Sequence, residues 1–253
     1  MQIIKSVDQW IKIFKAKQKE GKTVGLIPTM GALHAGHMSL IKRSISENQL
    51  TAATIFINPT QFNNPDDLNN YPITWDEDIA KLKSVGVDYL LYPSFEDLYR
   101  DSYRYKVIET EFSKDLCGAA RPGHFDGVLT IVIKLLNITR ATQAYFGEKD
   151  WQQYHLIKAM TQTFFMDTKI IPCPLIREES GLAMSSRNKR LTDEQKKIAP
   201  LFYQTISSQM DLAQMKKELS NNGFIIDYLQ ILDKRIFGAV FLGEVRLIDN
   251  VCI

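Results

Sequence analysis

Short apolar runs alternate with longer segments of helical periodicity over the first two thirds of the chain. Runs with almost no polar residue predict buried strands, and apolar residues spaced three and four apart predict amphipathic helices. The expected strands are 23–27, 52–57, 88–92, 105–108, 144–146 and 169–171, and the expected helices are 6–20, 36–47, 76–85, 127–137 and 150–165. Because continuous apolar strands joined by helices are typical of parallel sheets covered on both faces, residues 1–176 are predicted to form a doubly wound α/β domain.

The pattern changes after residue 176. Residues 177–190 are polar and predict a loop, and residues 192–219 predict a long helix that Pro200 could interrupt. Three short strand patterns follow, at 228–232, 239–242 and 245–248. Helices followed by strands predict a smaller α+β domain over residues 177–253. Within the first domain, the polar segment 58–75 is expected to be a long loop, and loops of this length are often functional.

Composition narrows the class of protein. An apolar fraction of 45%, a charged fraction of 24% and a net charge of +2 are ordinary for a globular protein and give no reason to expect a nucleic acid as partner. No apolar run approaches the ~20 residues that span a bilayer, and the first residues are unlike a signal peptide, so no membrane partner is expected. The three cysteines form no C-x-x-C pair, which favours a cytoplasmic protein without a disulfide framework or structural zinc site.

A His-x-Gly-His sequence marks the first candidate site. His34, Gly36 and His37 lie where predicted strand 23–27 gives way to predicted helix 36–47. The backbone N–H groups at a helix start are unpaired and lie at the positive end of the helix dipole, so they bind phosphate well. The two imidazoles lie on one helix face, and Gly36 would let a ligand approach the backbone. The sequence therefore predicts a phosphate site here.

Polar clusters follow three further predicted strands. In open α/β sheets, ligands bind beyond the carboxyl ends of the strands, so these clusters are expected to meet at one edge. They are Asn58 and Gln61 after strand 52–57; Gly147, Lys149, Asp150 and Gln153 after strand 144–146; and Arg177 with Met184, Ser185, Ser186 and Arg187 after strand 169–171. Their convergence predicts a nucleotide site.

The residue types indicate the chemistry of this site. Lys149, Arg187 and the two histidines suit phosphate oxygens, with hydroxyl donors from the serines, and Asp150 could accept from ribose hydroxyls. Glutamine amides can bind both the carboxylate and the hydroxyl of a small acid. No Ser-His-Asp or Cys-His arrangement, Walker A loop or G-x-G-x-x-G turn is present. An enzyme built this way is expected to position two substrates and stabilise charge on phosphate, without a covalent protein adduct.

Two acidic residues have open interpretations. Glu77 and Asp78 could stabilise the N-terminus of predicted helix 76–85, or they could lie near a metal ion. No role is assigned to Cys117.

Five blocks of sequence together carry a family resemblance. They are 28–37 (PTMGALHAGH), 55–62 (IFINPTQF), 121–128 (RPGHFDGV), 146–153 (FGEKDWQQ) and 184–187 (MSSR). In this order, and spanning about residues 20–195, they resemble the pantoate–β-alanine ligase (pantothenate synthetase) family. The His-x-Gly-His sequence alone indicates only the wider nucleotidyltransferase superfamily. The resemblance implies a Rossmann-like N-terminal domain with a smaller C-terminal domain.

The resemblance also implies a reaction. Pantoate would attack the α-phosphate of ATP to give pantoyl adenylate and pyrophosphate, and β-alanine would then displace AMP to form pantothenate for coenzyme A biosynthesis. Mg²⁺ would accompany ATP, and the protein would be a cytoplasmic homodimer. Carried over by position, the catalytic residues would be His37 (the proton donor), His34, Lys149 and Arg187. The ATP site would comprise Met30, His34, His37, Gly147, Lys149, Asp150, Ile176, Met184, Ser185, Ser186 and Arg187. Pantoate and β-alanine would contact Met30, Asn58, Gln61 and Gln153.

Two other functions are compatible with part of the pattern. Another adenylyl- or cytidylyltransferase would need further basic residues for a phosphate-bearing acceptor, where this chain offers Gln61 and Gln153. A non-catalytic nucleotide sensor would not need donors around both the phosphates and a second substrate. Pyrophosphate exchange that depends on pantoate separates the ligase from both.

Overall fold

Two separate sheets organise the computed structural model, which describes residues 1–253. The strands are β1 (Gln2–Ile4), β2 (Val24–Thr29), β3 (Leu50–Ile55), β4 (Tyr89–Leu91), β5 (Gln143–Gly147), β6 (Lys169–Cys173), β7 (Ile225–Leu232), β8 (Arg235–Leu242) and β9 (Val245–Cys252). The helices are α1 (Val7–Lys19), α2 (Ala35–Glu47), α3 (Pro65–Asn69), α4 (Trp75–Ser84), α5 (Phe95–Leu98), α6 (Leu116–Ala120), α7 (His124–Thr139), α8 (Trp151–Thr163), α9 (Asp193–Ile198), α10 (Pro200–Ile206) and α11 (Leu212–Asn221).

The larger sheet is entirely parallel, with strand order β1-β4-β3-β2-β5-β6. From β2 the chain winds outward through β3 to β4, and then crosses back to build β5 and β6 on the other side of β2. The direction of winding therefore reverses between β2 and β5. Open α/β sheets bind ligands at such a reversal, outside the carboxyl ends of the strands. This topology confirms the predicted doubly wound α/β fold and places one crevice at its centre.

Alternating residues of the parallel strands enter two different hydrophobic layers. Leu26 and Ala144 pack with helices α1, α7 and α8 on one face, whereas Ile27 and Tyr145 pack with α2 and α4 on the other. Because successive side chains of a strand point to opposite faces, a sheet covered on both faces needs apolar residues at every position. This explains why the strands are continuous apolar runs in the sequence.

The smaller sheet is antiparallel, with order β7-β8-β9, and helices α9–α11 pack on it. It has its own buried cluster, which includes Phe202, Met215, Leu219 and Val240. The predicted α+β character of the C-terminal region is confirmed. None of the eleven helices is long and apolar enough to cross a membrane.

The predicted strand 105–108 is wrong. Tyr105 and Ile108 are mostly exposed, and the backbone N–H of Val107 donates to the Thr130 hydroxyl at 2.9 Å instead of to a neighbouring strand. The short alternation of bulky residues in this segment has no sheet edge to pair with. Strand β1 escaped prediction because it has only three residues, which pair solely with β4.

Two further segments are more structured or more divided than expected. The predicted loop 58–75 contains a 3-10 turn, Pro59–Gln61, and helix α3, which Asn64 caps through the Asp66 N–H. The predicted helix 192–219 is three helices. Pro200 interrupts it as expected, and a second interruption precedes α11, where Asp211 forms a new N-terminal cap.

Candidate active site

A cavity of about 240 Å³ lies at the carboxyl edge of the parallel sheet, where the winding reverses. Segments after β2, β3, β5 and β6 all contribute to it. Every site residue that the resemblance implies lines this cavity: Met30, His34, His37, Asn58, Gln61, Gly147, Lys149, Asp150, Gln153, Ile176, Met184, Ser185, Ser186 and Arg187. The rule that ligands bind beyond strand ends therefore predicted which segments meet at this cavity.

Arg177 is the exception among the polar residues expected at this edge. Its guanidinium pairs with the buried carboxylate of Asp249 on β9 and lies over the ring of Tyr203 at 3.6 Å. It does not line the cavity. The prediction that Arg177 is a site residue is wrong, because Arg177 forms an ion pair with a buried aspartate of the C-terminal region.

The two histidines at the start of α2 hold each other in place. Nδ1 of His34 accepts from the Gly36 N–H at 3.2 Å, and Nδ1 of His37 accepts from the His34 N–H at 3.3 Å. Their ring centroids are 4.0 Å apart. Because both Nδ1 atoms act as acceptors, the proton of each neutral ring resides on Nε2, which can donate to a ligand.

Both imidazoles are neutral at pH 7. Burial lowers the pKa of His34 to about 3, with added repulsion from His37 and Lys149. Burial, then the charges of Lys149 and Lys81, lower the pKa of His37 to about 4. The histidines therefore approach a ligand as hydrogen-bond donors without formal charge, and the full positive charge comes from neighbouring cations.

The absence of a side chain at Gly36 leaves space for the imidazole ring of His34. A Cβ atom at this position would lie 2.9 Å from Cε1 and 3.0 Å from Nδ1 of His34, distances too short for carbon. Gly36 was expected to let a ligand approach the backbone closely. The structure adds a second role, which is to leave space for the His34 ring. Any larger residue would displace the His34 ring.

Asp78 anchors the loop that carries these histidines. Its carboxylate accepts from the Ala32 N–H at 2.8 Å and the Leu33 N–H at 2.7 Å, and only 1% of the residue is exposed. Lys81, one turn further along α4, donates to the Leu33 carbonyl at 2.8 Å. The structure contains no cluster of three metal-binding side chains at Asp78 or elsewhere. The two interpretations left open for Asp78 were stabilisation of the helix N-terminus and a position near a metal ion. Neither of them includes this contact between helix α4 and the histidine loop.

The side-chain amides at the other side of the cavity differ in how many hydrogen bonds they form within the protein. Asn58 donates to Oε1 of Gln61 at 3.1 Å and to the Gly127 carbonyl at 3.2 Å, and its Oδ1 accepts from the Tyr99 hydroxyl. Asn58 is therefore committed to orienting Gln61. The side chain of Gln153 forms no hydrogen bond within the protein, so both ends of its amide remain available to a ligand.

The two expected phosphate-binding cations also differ. Lys149 lies 3.7 Å from Asp150, and its loop is fixed because Asn250 of β9 donates to the carbonyls of Glu148 and Lys149. Arg187 uses Nε and Nη2 to bind the carboxylate of Asp67 at 3.1 and 2.7 Å. Both N–H groups of Nη1 and the second N–H of Nη2 are left for a ligand, a restriction that the sequence did not reveal.

Arg121 and His124 are cavity residues that residue-by-residue reasoning missed. Nδ1 of His124 donates to the Gln61 carbonyl at 2.8 Å, while its Nε2 accepts from Nη1 of Arg121 at 3.0 Å. Burial, and then the charge of Arg121, lower the pKa of His124 to about 3. The family resemblance could have identified both residues, because they belong to block 121–128, one of the five blocks that carry it.

Acid should destabilise the fold through His124. Its pKa is about 3 in the folded chain against 6.5 as the reference, so below pH 6.5 the unfolded chain binds a proton that the folded chain does not. By pH 5 the loss of unfolding free energy from this residue is about 2 kcal/mol. We expect His124→Gln, which cannot titrate, to lose correspondingly less stability between pH 7.5 and pH 5 in urea unfolding. His155→Gln is the control at a less buried histidine, and equal pH dependence of wild type and His124→Gln would contradict the assignment.

Comparisons with known proteins agree with this fold. The family model described as pantoate-beta-alanine ligase matches residues 2–252. A pantothenate synthetase from Bdellovibrio bacteriovorus is 54% identical over 235 residues, which cover 93% of this chain and 94% of the relative. One from Legionella pneumophila is 46% identical, covering 99% of both. The crystal structure of a pantoate-beta-alanine ligase from Francisella tularensis, complexed with beta-gamma ATP and beta-alanine, superposes with a TM-score of 0.96 at 44% identity, covering 100% of this chain and 97% of that one.

Proposed function

This chain belongs to the pantoate–β-alanine ligase family, and we propose that its His-x-Gly-His cavity joins pantoate to β-alanine through a pantoyl adenylate. The overall activity is the ATP-dependent formation of pantothenate. One observation supports the route through this cavity above all: the candidate ATP, pantoate and β-alanine residues share a single space at the sheet reversal. No protein nucleophile is needed, because the carboxylate of pantoate is itself the nucleophile.

In the first step, a carboxylate oxygen of pantoate forms a bond to the α-phosphorus of ATP while the bond to the bridging oxygen of pyrophosphate breaks. Negative charge grows on the departing pyrophosphate. Lys149 supplies a full positive charge there, and Nε2 of His34 and of His37 supply neutral hydrogen bonds. Donors already fixed in place cost little reorganisation in the transition state. His37 is the proposed proton donor, acting through Nε2.

In the second step, the neutral amine of β-alanine attacks the acyl carbon of the adenylate. The amide bond forms, the bond from the acyl carbon to the phosphate oxygen breaks, AMP leaves with the electron pair, and the nitrogen gives up a proton. Gln61, held by Asn58, would contact both pantoate and β-alanine. The reactive adenylate must be kept from water, which closure of the C-terminal region over this cavity would favour.

The remaining residues divide between the two proposed domains. We assign Met30, Gly147 and Asp150 to nucleotide contacts from residues 1–176, with Asp150 at the ribose. Residues 177–253 would act as a lid, from which Met184, Ser185, Ser186 and Arg187 close over ATP beside Ile176. Two contacts support this: Met184 donates its N–H to the Ile176 carbonyl, and the Ser186 hydroxyl donates to the carbonyl of Ala32.

Mg²⁺ would enter as part of the ATP substrate. When bound, it neutralises phosphate charge and polarises the phosphoryl group. The donor set fits an ion held mainly by phosphate and water, because Mg²⁺ commonly uses one or two protein carboxylates and Asp150 lines the cavity with only Lys149, at 3.7 Å, as an ionic partner. Asp67 is less suited, since it already pairs with Arg187 and Arg190.

We also propose a cytoplasmic homodimer, on the family resemblance. Three free cysteines without a disulfide are compatible with a reducing compartment. Sedimentation velocity of the purified chain gives the assembly state directly.

Gln153→Ala should separate pantoate binding from ATP binding. The amide of Gln153 has no partner in the protein, so its removal costs the fold little, whereas a pantoate hydroxyl or carboxylate would lose its hydrogen bonds. We expect the KM for pantoate to rise roughly tenfold or more, with ATP affinity nearly unchanged. Gln152→Ala is unsuitable as a control, because Gln152 is buried and bonded to the carbonyls of Phe112 and Asp115. Equal losses for both ligands would contradict the assignment.

Oxygen transfer tests the adenylate route itself. Pantoate labelled with ¹⁸O in its carboxylate is turned over with ATP and β-alanine, and the AMP is analysed by mass spectrometry. Attack of the carboxylate on the α-phosphorus places one ¹⁸O atom in each AMP. AMP without the label would exclude pantoyl adenylate as the intermediate.

A further inference from the structure

A second cavity of about 240 Å³ opens between the parallel sheet and the three-stranded sheet. It meets the first cavity along a common wall of residues, which are Arg121, His124, Lys149, Asp150, Gln153, Ser185 and Arg187. The distal part of this second cavity is lined by the C-terminal strands, through residues such as Tyr228 and Arg246. A small molecule in the second cavity would therefore reach the proposed adenylate site from the side.

Arg121 is the one cation lining these two cavities that has no carboxylate partner within 4.0 Å. Arg187 and Arg190 both pair with Asp67, Arg246 pairs with Asp227, and Lys149 lies near Asp150. Arg121 instead bonds only to neutral groups. Its partners are Asn63 Oδ1 at 3.2 Å, His124 Nε2 at 3.0 Å and the Gln61 carbonyl at 3.3 Å.

An uncompensated guanidinium in this position is costly. Burial, with repulsion from Arg187 and Arg246, lowers the pKa of Arg121 to about 10. A charge taken out of water without a counter-charge is unfavourable, and an anionic ligand would remove that penalty. The planar guanidinium also matches the geometry of a carboxylate, to which it can donate two parallel hydrogen bonds.

From these contacts we infer that Arg121 is the receptor for the carboxylate of β-alanine. This inference rests on the proposed function, in which the amine of β-alanine attacks the adenylate beside Gln61. Arg121 contacts the Gln61 backbone, so an amino acid whose carboxylate binds the guanidinium directs its amine toward the Gln61 side chain. The carboxylate takes no part in the bond exchange, and its negative charge needs a partner when β-alanine leaves water.

The same contact accounts for selection of the amine substrate. β-Alaninamide has the same amine and chain length as β-alanine but no negative charge. With Arg121 present, its use should be strongly disfavoured, because the guanidinium would remain unpaired in the complex. Without Arg121, the two amines should become nearly equivalent.

The test compares β-alanine with β-alaninamide in Arg121→Gln and Arg121→Lys. For Arg121→Gln we expect the KM for β-alanine to rise roughly 10- to 100-fold and the preference for β-alanine over β-alaninamide to fall by the same factor. Arg121→Lys should keep part of the preference, because an ammonium still pairs with a carboxylate. Arg246→Gln removes a cation of the second cavity that is paired with Asp227, and this variant should keep the wild-type preference for β-alanine over β-alaninamide.

Pyrophosphate exchange driven by pantoate in the absence of β-alanine is measured on the same variants. Exchange within a few-fold of wild type, together with the lost preference, supports the inference. A retained preference for β-alanine in Arg121→Gln overturns the inference. The inference is also overturned if pyrophosphate exchange falls by as large a factor as the use of β-alanine does, because Arg121 would then be assigned to ATP or pantoate. Absence of exchange in the wild type would instead refute the proposed function.

Discussion

Replacement of Lys149 by alanine should lower the rate of pantoyl adenylate formation by 10²- to 10³-fold, equivalent to about 3–4 kcal/mol of transition-state stabilisation. The two histidines of the cavity are neutral, because burial lowers the pKa of His34 to about 3 and that of His37 to about 4. Arg187 shares its charge with Asp67. Of the two expected phosphate-binding cations, Lys149 is thus the less neutralised by the protein, with Asp150 at 3.7 Å as its nearest acid.

Rapid-quench measurement of a single turnover isolates this step from product release. Lys158→Ala is a matched control, because Lys158 is an exposed lysine on the neighbouring helix α8. We expect its rate to equal that of the wild type. A rate for Lys149→Ala within threefold of wild type would remove this residue from the mechanism.

Asp78→Asn should have the largest effect on stability. An amide offers one acceptor oxygen where the carboxylate offers two, so one of the Ala32 and Leu33 N–H groups would face an NH₂ group in a buried site. Two charge-assisted hydrogen bonds weaken or disappear, and we expect a loss of about 3 kcal/mol of unfolding free energy and a Tm lower by roughly 10 °C.

Activity should fall as well, since Leu33 immediately precedes the first histidine of the His-x-Gly-His turn. We expect kcat to drop more than the KM for pantoate changes, because Gln61 and Gln153 belong to other elements. Asp76→Asn is the control on the first turn of the same helix, where the side chain is exposed. Equal melting temperatures for Asp78→Asn and wild type would show that the carboxylate does not hold the loop.

The sequence predicted most of the parallel sheet because burial on two faces leaves a clear signal. Residues Leu26 and Ile27 belong to opposite layers yet are both apolar, so the run reads as one buried strand. The failures are segments where long-range contacts decide the outcome. Residues 105–108 have strand composition but no partner strand, and Asp78 resembles any acid at a helix start until the fold brings the loop 31–33 against it.

The site was predictable to the extent that it follows strand ends. His34, His37, Lys149 and Gln153 were predicted to meet because each follows a strand whose carboxyl end meets the others, and all four line one cavity. Ion pairing could not be predicted in this way. The sequence does not show that Asp67 takes two of the donor atoms of Arg187, or that Asp249 withdraws Arg177 from the cavity, because these partners are distant in the chain.

Isotope exchange between pyrophosphate and ATP measures the central chemistry most directly. The purified chain is incubated with ATP, Mg²⁺ and labelled pyrophosphate, with and without pantoate, and no β-alanine is added. Reversible formation of an acyl adenylate predicts label in ATP only when pantoate is present, and loss of that exchange in Lys149→Ala. Label entering ATP at the same rate without pantoate, or no label at all from an enzyme that still makes pantothenate, would contradict adenylate formation in this cavity.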